Sequence, residues 1–341
     1  MGMSRRRLLF LIAATGVAVA IFAVVLPRIA SYHAVWQAVR HLRAPWAAGL
    51  AAATVANLVT FAYPWMVVLP GLGFLDAMKM TQASTAFTFA VPGGATIGMG
   101  ASFAMLRTWG FAAPDVGRAV ALTGIWNQMS TFLFPVAAAV ALAVEGAGGR
   151  TLDLVALLAA LVFVLGSMVV AAALLSERNT ERLSRLGHAA RSAFARLRRR
   201  ETRPWSGERA RRFRTDTVST LRREWLRLTV ATFANQLAGF VMLDLTLRSV
   251  GIGLDQVGVA ESFAAWSIAR LITSLPLTPG GLGIVELGLV GMLAGFGGPT
   301  PKVVAAVLVF RVLSMAPTAL LGLLAFGLWN HAAPNQLPEE G

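Results

Sequence analysis

Three charged residues stand in or beside apolar stretches of the chain: Arg270, Glu286 and Arg311. Glu286 closes the run "SLPLTPGGLGIVE" (274–286), and Arg270 precedes it. Arginine offers a fork of N–H donors that fits phosphate or carboxylate. A charge deep in a hydrophobic segment is a functional candidate by default. Two readings stand. Either Arg270 and Arg311 hold an anionic headgroup, with Glu286 balancing them when it is absent, or an Arg–Glu pair locks the segment structurally. The run itself holds Pro279, Gly280, Gly281 and Gly283. Proline stops an incoming helix, and glycine permits tight turns and close backbone approach. A helix restarting after Gly281 aims its N–H groups back at the break, where partial positive charge suits an anion such as phosphate. The alternative is a turn sealed by neighbouring helices. A second break, Pro92-Gly93-Gly94 in "FAVPGGATIGMG", invites the same two readings. Four amides, Asn127, Gln128, Asn235 and Gln236, also fall inside apolar segments. They line a polar path or join helices by hydrogen bonds; for each alone, joining is favoured.

The elements that position these groups follow from hydropathy. The chain has 341 residues, 56% hydrophobic and 13% charged, with a mean hydropathy of +0.66. Apolar runs of some 20 residues recur, enough to cross a hydrocarbon core of ~30 Å. Full spans are expected at 8–27, 46–69, 115–144, 152–175, 226–248 and 303–329. Two further apolar regions, 77–110 and 258–297, are each cut by a Pro-Gly-Gly. Each is too long for one span and short for two, so each is read as a re-entrant hairpin. The fold class is therefore an all-α polytopic membrane protein with eight membrane segments: six spans and two broken-helix hairpins. The N-terminus, "MGMSRRRLLFLIAATGVAVAIFAVVLP", resembles a signal peptide in its basic start. Its long apolar run without a clean cleavage site favours an uncleaved first span.

The net charge is +14. Most of the excess is arginine within 176–224, around "RLRRRETRPWSGERARRFR", so membrane topology rather than nucleic acid explains it. The positive-inside rule puts this segment and Arg5–Arg7 in the cytoplasm. An even number of crossings must then separate them, which holds if 77–110 dips in and returns, or if it makes two complete spans. Both termini fall on the cytoplasmic side of the cell membrane. The organisation is a first membrane half (1–175), a basic cytoplasmic loop (176–224), a second half (225–330) and a polar tail (331–341). Stretches of the loop such as "NTERLSRLGHAARSAFARL" are amphipathic: a solvated linker, or a surface for anionic headgroups.

The halves repeat. The two Pro-Gly-Gly triplets lie 187 positions apart, and the same offset pairs Gly110 with Gly297, Pro114 with Pro301 and Asn57 with Asp244. Given the topology, the two span–hairpin–span units run in opposite directions. Inverted repeats with broken helices near the midplane are a recurring plan of alternating-access transporters.

The motif "PLTPGGLGIVE", the arginine before it and the arginine in the last span resemble the lysylphosphatidylglycerol-synthase transmembrane family, the flippase-like domain of the multiple peptide resistance factors. The resemblance covers about 10–330. In the first unit Met99 stands where Glu286 stands in the second, a departure from strict symmetry. The resemblance implies translocation of an anionic phospholipid or lipid-linked headgroup between leaflets. It does not imply aminoacyl transfer, which belongs to a soluble C-terminal domain that is not expected after "NHAAPNQLPEEG". No nucleotide-binding GxxxxGK[ST] occurs, so transport is passive or coupled to an ion gradient or membrane potential, with Glu286 the obvious proton carrier. The chain has no cysteine, and its four histidines show no ligand spacing, so no cofactor or metal is expected. Asp76, Asp115, Asp153 and Asp255 are scattered and form no acid pair. The runner-up readings are a membrane-embedded lipid-modifying transferase, and an accessory subunit of a glycosyltransferase or lipid synthase.

Overall fold

A computed structural model describes residue 40 and residues 42–90, 94–146, 150–175, 207–274 and 279–332. Among them every regular element is helical. The helices are α1 (Ala44–Thr60), α2 (Tyr63–Val68), α3 (Phe74–Ala90), α4 (Gly94–Thr108), α5 (Ala113–Val144) and α6 (Arg150–Leu175). They continue with α7 (Gly207–Ser249), α8 (Val259–Ser274), α9 (Ile284–Gly295) and α10 (Thr300–Ala332); a 3-10 turn at Pro279–Gly281 links α8 to α9.

Among the described residues, four helices are long and apolar enough to cross a membrane: Ala44–Val68, Ala113–Val144, Arg211–Ser249 and Thr300–Trp329. They match four of the expected spans. The expected span 152–175 is the helix α6, whose shorter apolar stretch is Leu154–Val169. The expected span 8–27 lies outside the described residues, as does most of the polar tail. One boundary moves: from Gly207 the basic segment is helix, continuous with the span after it. Charge makes this stretch read as loop. Yet it buries Thr217, Thr220 and Leu228 along one face, and Arg212 pairs with Glu208 one turn away.

Helix ends follow local chemistry. Pro114 starts α5, where its missing N–H costs nothing. Helices α4 and α9 end on Gly110 and Gly297, with φ of 91° and 118°. In each, the glycine N–H and the next residue's N–H fold back on the helix: Gly110 to Arg107 O and Phe111 to Leu106 O, then Gly297 to Ala294 O and Gly298 to Leu293 O. This is the Schellman pattern. Both bonds of one end map onto those of the other at the 187-residue offset.

Contact registers give the helix directions. Helices α3 and α4 form an antiparallel hairpin: Gly94 lies against the Phe87 carbonyl and Gly98 against the Ser84 carbonyl. Helices α1 and α7 are antiparallel too. Thr54 Oγ1 meets Met242 Sδ, Asn57 meets Gly239, and Asn235 Nδ2 donates to Thr60 Oγ1. Each hairpin's first arm packs on the helix that follows the other hairpin. On α3 and α10, Gln82 and Ala86 touch Gly322. On α8 and α5, Trp266 and Phe263 stack around Phe134, while Ala260 and Ala264 pack with Ala138 and Leu142. Beside that small cluster, the described residues form two larger cores, one around Leu243, Trp266, Leu289 and Phe310, the other around Leu69, Met80, Leu106 and Phe326.

A polar knot ties the end of α7 to α8. Arg248 grips Asp244 through Nη2 (2.7 Å) and Nε (3.4 Å), and donates from Nη1 to the carbonyls of Ile252 and Val257. Ser262 Oγ donates to the same carboxylate at 3.0 Å. Every partner is engaged, so Asp244 serves structure. Asp244→Ala is expected to cost about 2 kcal/mol and lower Tm by roughly 5 °C. Arg248→Ala should match it, and the double variant should add little. Thermal unfolding of the purified protein in detergent measures all three, and full additivity would break the coupling.

Candidate functional site

The second helix break is built from backbone that side-chain-bearing residues rarely adopt. Gly280, Gly281 and Gly283 have φ of 58°, 72° and 85°. Helix α9 then starts at Ile284 with Glu286 in its first turn. Glu286 Oε2 accepts the Gly283 N–H at 2.7 Å, so a carboxylate caps its own helix. Its other oxygen accepts from Arg311 Nε on α10. Arg311 Nη2 reaches on to the Gly280 carbonyl at 2.9 Å. Glu286 is 5% and Arg311 8% exposed. The pair therefore satisfies both sides of the break: one N–H at the restart of α9, one carbonyl at the turn.

This Arg–Glu pairing is common to both readings of the second hairpin, the structural lock and the headgroup site without its anion. The negative charge at the start of α9 is already present, as Glu286. It also separates the three charges. Arg311 and Glu286 neutralise each other, and Arg270 stands outside their network. Arg270 lies in the last turns of α8, and its buried Nε meets no acceptor among the described residues.

At the first hairpin, Pro92 and Gly93 lie outside the described residues. Gly94 opens α4 and, with Gly98, lets the α4 backbone approach α3: a Cβ at either would fall within 2.5 Å of an α3 carbonyl oxygen. Gly98 was not among the expected site residues. The Gly-x-x-x-Gly spacing is the sequence feature that marks it. The second break meets the end of α3: Gly280 faces Phe89 there, and Met315 of α10.

Among the amides, Gln236 is buried and donates to Asn127 Oδ1 at 2.6 Å, joining α7 to α5. Asn235 joins α7 to α1 through Thr60 at 3.3 Å. Trp126 Nε1 adds a bond to Thr229 Oγ1 at 2.9 Å, again between α5 and α7. Asn127 and Gln128 are both exposed.

Long apolar helices, glycine-built breaks and a buried ion pair within an apolar interior define a multi-pass α-helical membrane protein. The chain belongs to the family described as the lysylphosphatidylglycerol synthase TM region, whose model matches residues 11–322. That membership ties its function to membrane lipids. No curated protein matches the chain.

Proposed function

We propose that the protein is a lipid translocase, a transporter rather than an enzyme. It moves an anionic phospholipid or lipid-linked headgroup between leaflets through a polar cavity between two inverted units, while the acyl chains stay in lipid. Both hairpins are re-entrant in this reading, and together with the spans they give eight membrane segments. Several observations support it. Helix α9 has 12 residues, about 18 Å, and falls short of a hydrocarbon core of ~30 Å. Ala113 and Thr300, where α5 and α10 start, are equivalent at the 187-residue offset, as are Thr108 and Gly295, where α4 and α9 end. The equivalent helices α1 and α7 run antiparallel, as inverted units require. With the arginine-rich segment cytoplasmic, the first hairpin enters from the cytoplasm and the second from outside.

The observation that carries the proposal is Arg270. A guanidinium with its Nε buried and no acceptor for it among the described residues is costly to keep without an anion to meet it. It lies about one turn before the end of α8, the helix that leads into the second break. Lipid phosphate is the anion a membrane supplies at that place. Glu286 and Arg311 hold the adjoining tip in shape. Arg270→Ala is expected to slow leaflet exchange of fluorescent anionic phospholipid in proteoliposomes by about tenfold or more, the loss of one charge-assisted hydrogen bond. Arg270→Lys keeps the charge and should retain part of the rate. Exchange unchanged in Arg270→Ala, or a chemically altered lipid in place of a relocated one, would overturn the reading.

A further inference from the structure

The two hairpins are not docked alike. On α10 the tip of the second hairpin covers Arg311 and Met315, both under a tenth exposed. The equivalent residues of α5, 187 positions earlier, are Gly124 and Gln128, and both are exposed. Asn127 beside them is exposed too, and Met99, at the register of Glu286, is 46% exposed. Neither half of the Arg311–Glu286 lock exists in the first unit. The strip that is sealed on α10 is therefore open on α5.

That strip is polar and central. Gln128 is the sixteenth residue of the 32 in α5, so an ordinary crossing puts it near the bilayer midplane. An amide facing hydrocarbon there would leave its donors and acceptor unmet, at several kcal/mol. Asn127 is also oriented. Its Oδ1 accepts from the buried Gln236, so its Nδ2 points its donors elsewhere, and no acceptor among the described residues takes them.

We infer that the uncovered strip Gly124–Asn127–Gln128 of α5 is the mid-membrane station of the lipid headgroup. The inference rests on the translocase reading and adds a location to it. Two neutral amides donate to phosphate or hydroxyl oxygens, while glycine at 124 leaves room beside the helix. Neutral donors suit a station along a path: they replace water around the headgroup without the grip of a buried charge, so the headgroup can leave.

The absence of cysteine makes the test direct. Asn127→Cys and Gln128→Cys are made singly, with Leu161→Cys on the apolar face of α6 as a lipid-facing control; Leu161 is 52% exposed. Each is reconstituted and treated with a charged, membrane-impermeant thiosulfonate, which reacts with thiolate and so reports water. The two α5 positions should label roughly tenfold faster than the control. The bulky adduct should then stop exchange of fluorescent phospholipid. Labelling no faster than Leu161→Cys overturns the inference, even if exchange is intact. Fast labelling with unchanged exchange also overturns it, because the strip would be wet but off the path. If the unsubstituted protein exchanges no lipid, the translocase reading itself fails and the headgroup falls with it. The labelling contrast tells that failure from this one.

Discussion

Replacing Arg311 with alanine is expected to cost about 3–5 kcal/mol, the range for removing one member of a buried ion pair. The geometry gives the reason. Glu286, 5% exposed, would be left as a carboxylate with only the Gly283 N–H, and the Gly280 carbonyl would lose its donor. No water-facing rotamer rescues a side chain in the first turn of a helix this deep. Glu286→Gln is milder. Glutamine still caps Gly283, as the N3 residue of a capping box does, but that uses its single oxygen and turns its NH2 toward Arg311 Nε, donor against donor, at about 1–3 kcal/mol. Thermal unfolding in detergent orders the variants, and phospholipid exchange in liposomes says what the pair is for. A lock predicts equal loss of exchange from Arg311→Ala and Glu286→Ala, with the double variant no worse than the worse single. Exchange lost in Arg311→Ala at undiminished stability would make Arg311 a headgroup ligand instead. Normal exchange and normal stability in both would remove the pair from the mechanism.

What the sequence disclosed was what local chemistry writes into it. The 187-residue offset is legible because glycine at a left-handed helix end and proline in a first turn are backbone requirements, so Gly110/Gly297 and Pro114/Pro301 keep their places. The residue types of the ion pair were legible too, since charge in an apolar segment needs a partner. Which arginine Glu286 takes was not. Arg270 and Arg311 are alike in type, and only the way α10 passes the break brings Arg311 to the carboxylate and leaves Arg270 outside. Gln236 and Asn127 were each read as helix-joining or path-lining; the structure has Gln236 joining α7 to α5 while Asn127 also faces outward. The start of α7 was hidden for a different reason. Arginine density there outweighs the helical spacing of its buried face, so the stretch reads as loop. Close helix crossings left the faintest trace, because one glycine among 33 says nothing of which backbone it meets.

Gly322 is such a crossing, and it yields the other large effect. A Cβ there would sit 2.5 Å from the Gln82 carbonyl oxygen and 2.6 Å from Ala86 Cβ, so α3 and α10 touch through bare backbone. Helices in a membrane gain most from this kind of approach, since lipid offers no hydrophobic drive to hold them together. A leucine must push α3 away, because a helical carbonyl cannot rotate out of reach. Overpacking of this kind costs typically 1–3 kcal/mol and sometimes more; here it also moves Phe89, which rests on Gly280 at the second break. Gly322→Leu should therefore lose about 3 kcal/mol of stability and disturb both hairpin tips at once. Gly327 is the control: it lies in the same helix with nothing within 4 Å of its would-be Cβ. Gly327→Leu adds the same side chain and gains helix propensity, so it should unfold at or above the parent Tm with normal exchange. If the two variants lose stability equally, the α3–α10 crossing carries none of the coupling between the breaks. If only Gly322→Leu falls, and its exchange falls with it, the crossing transmits what one hairpin does to the other.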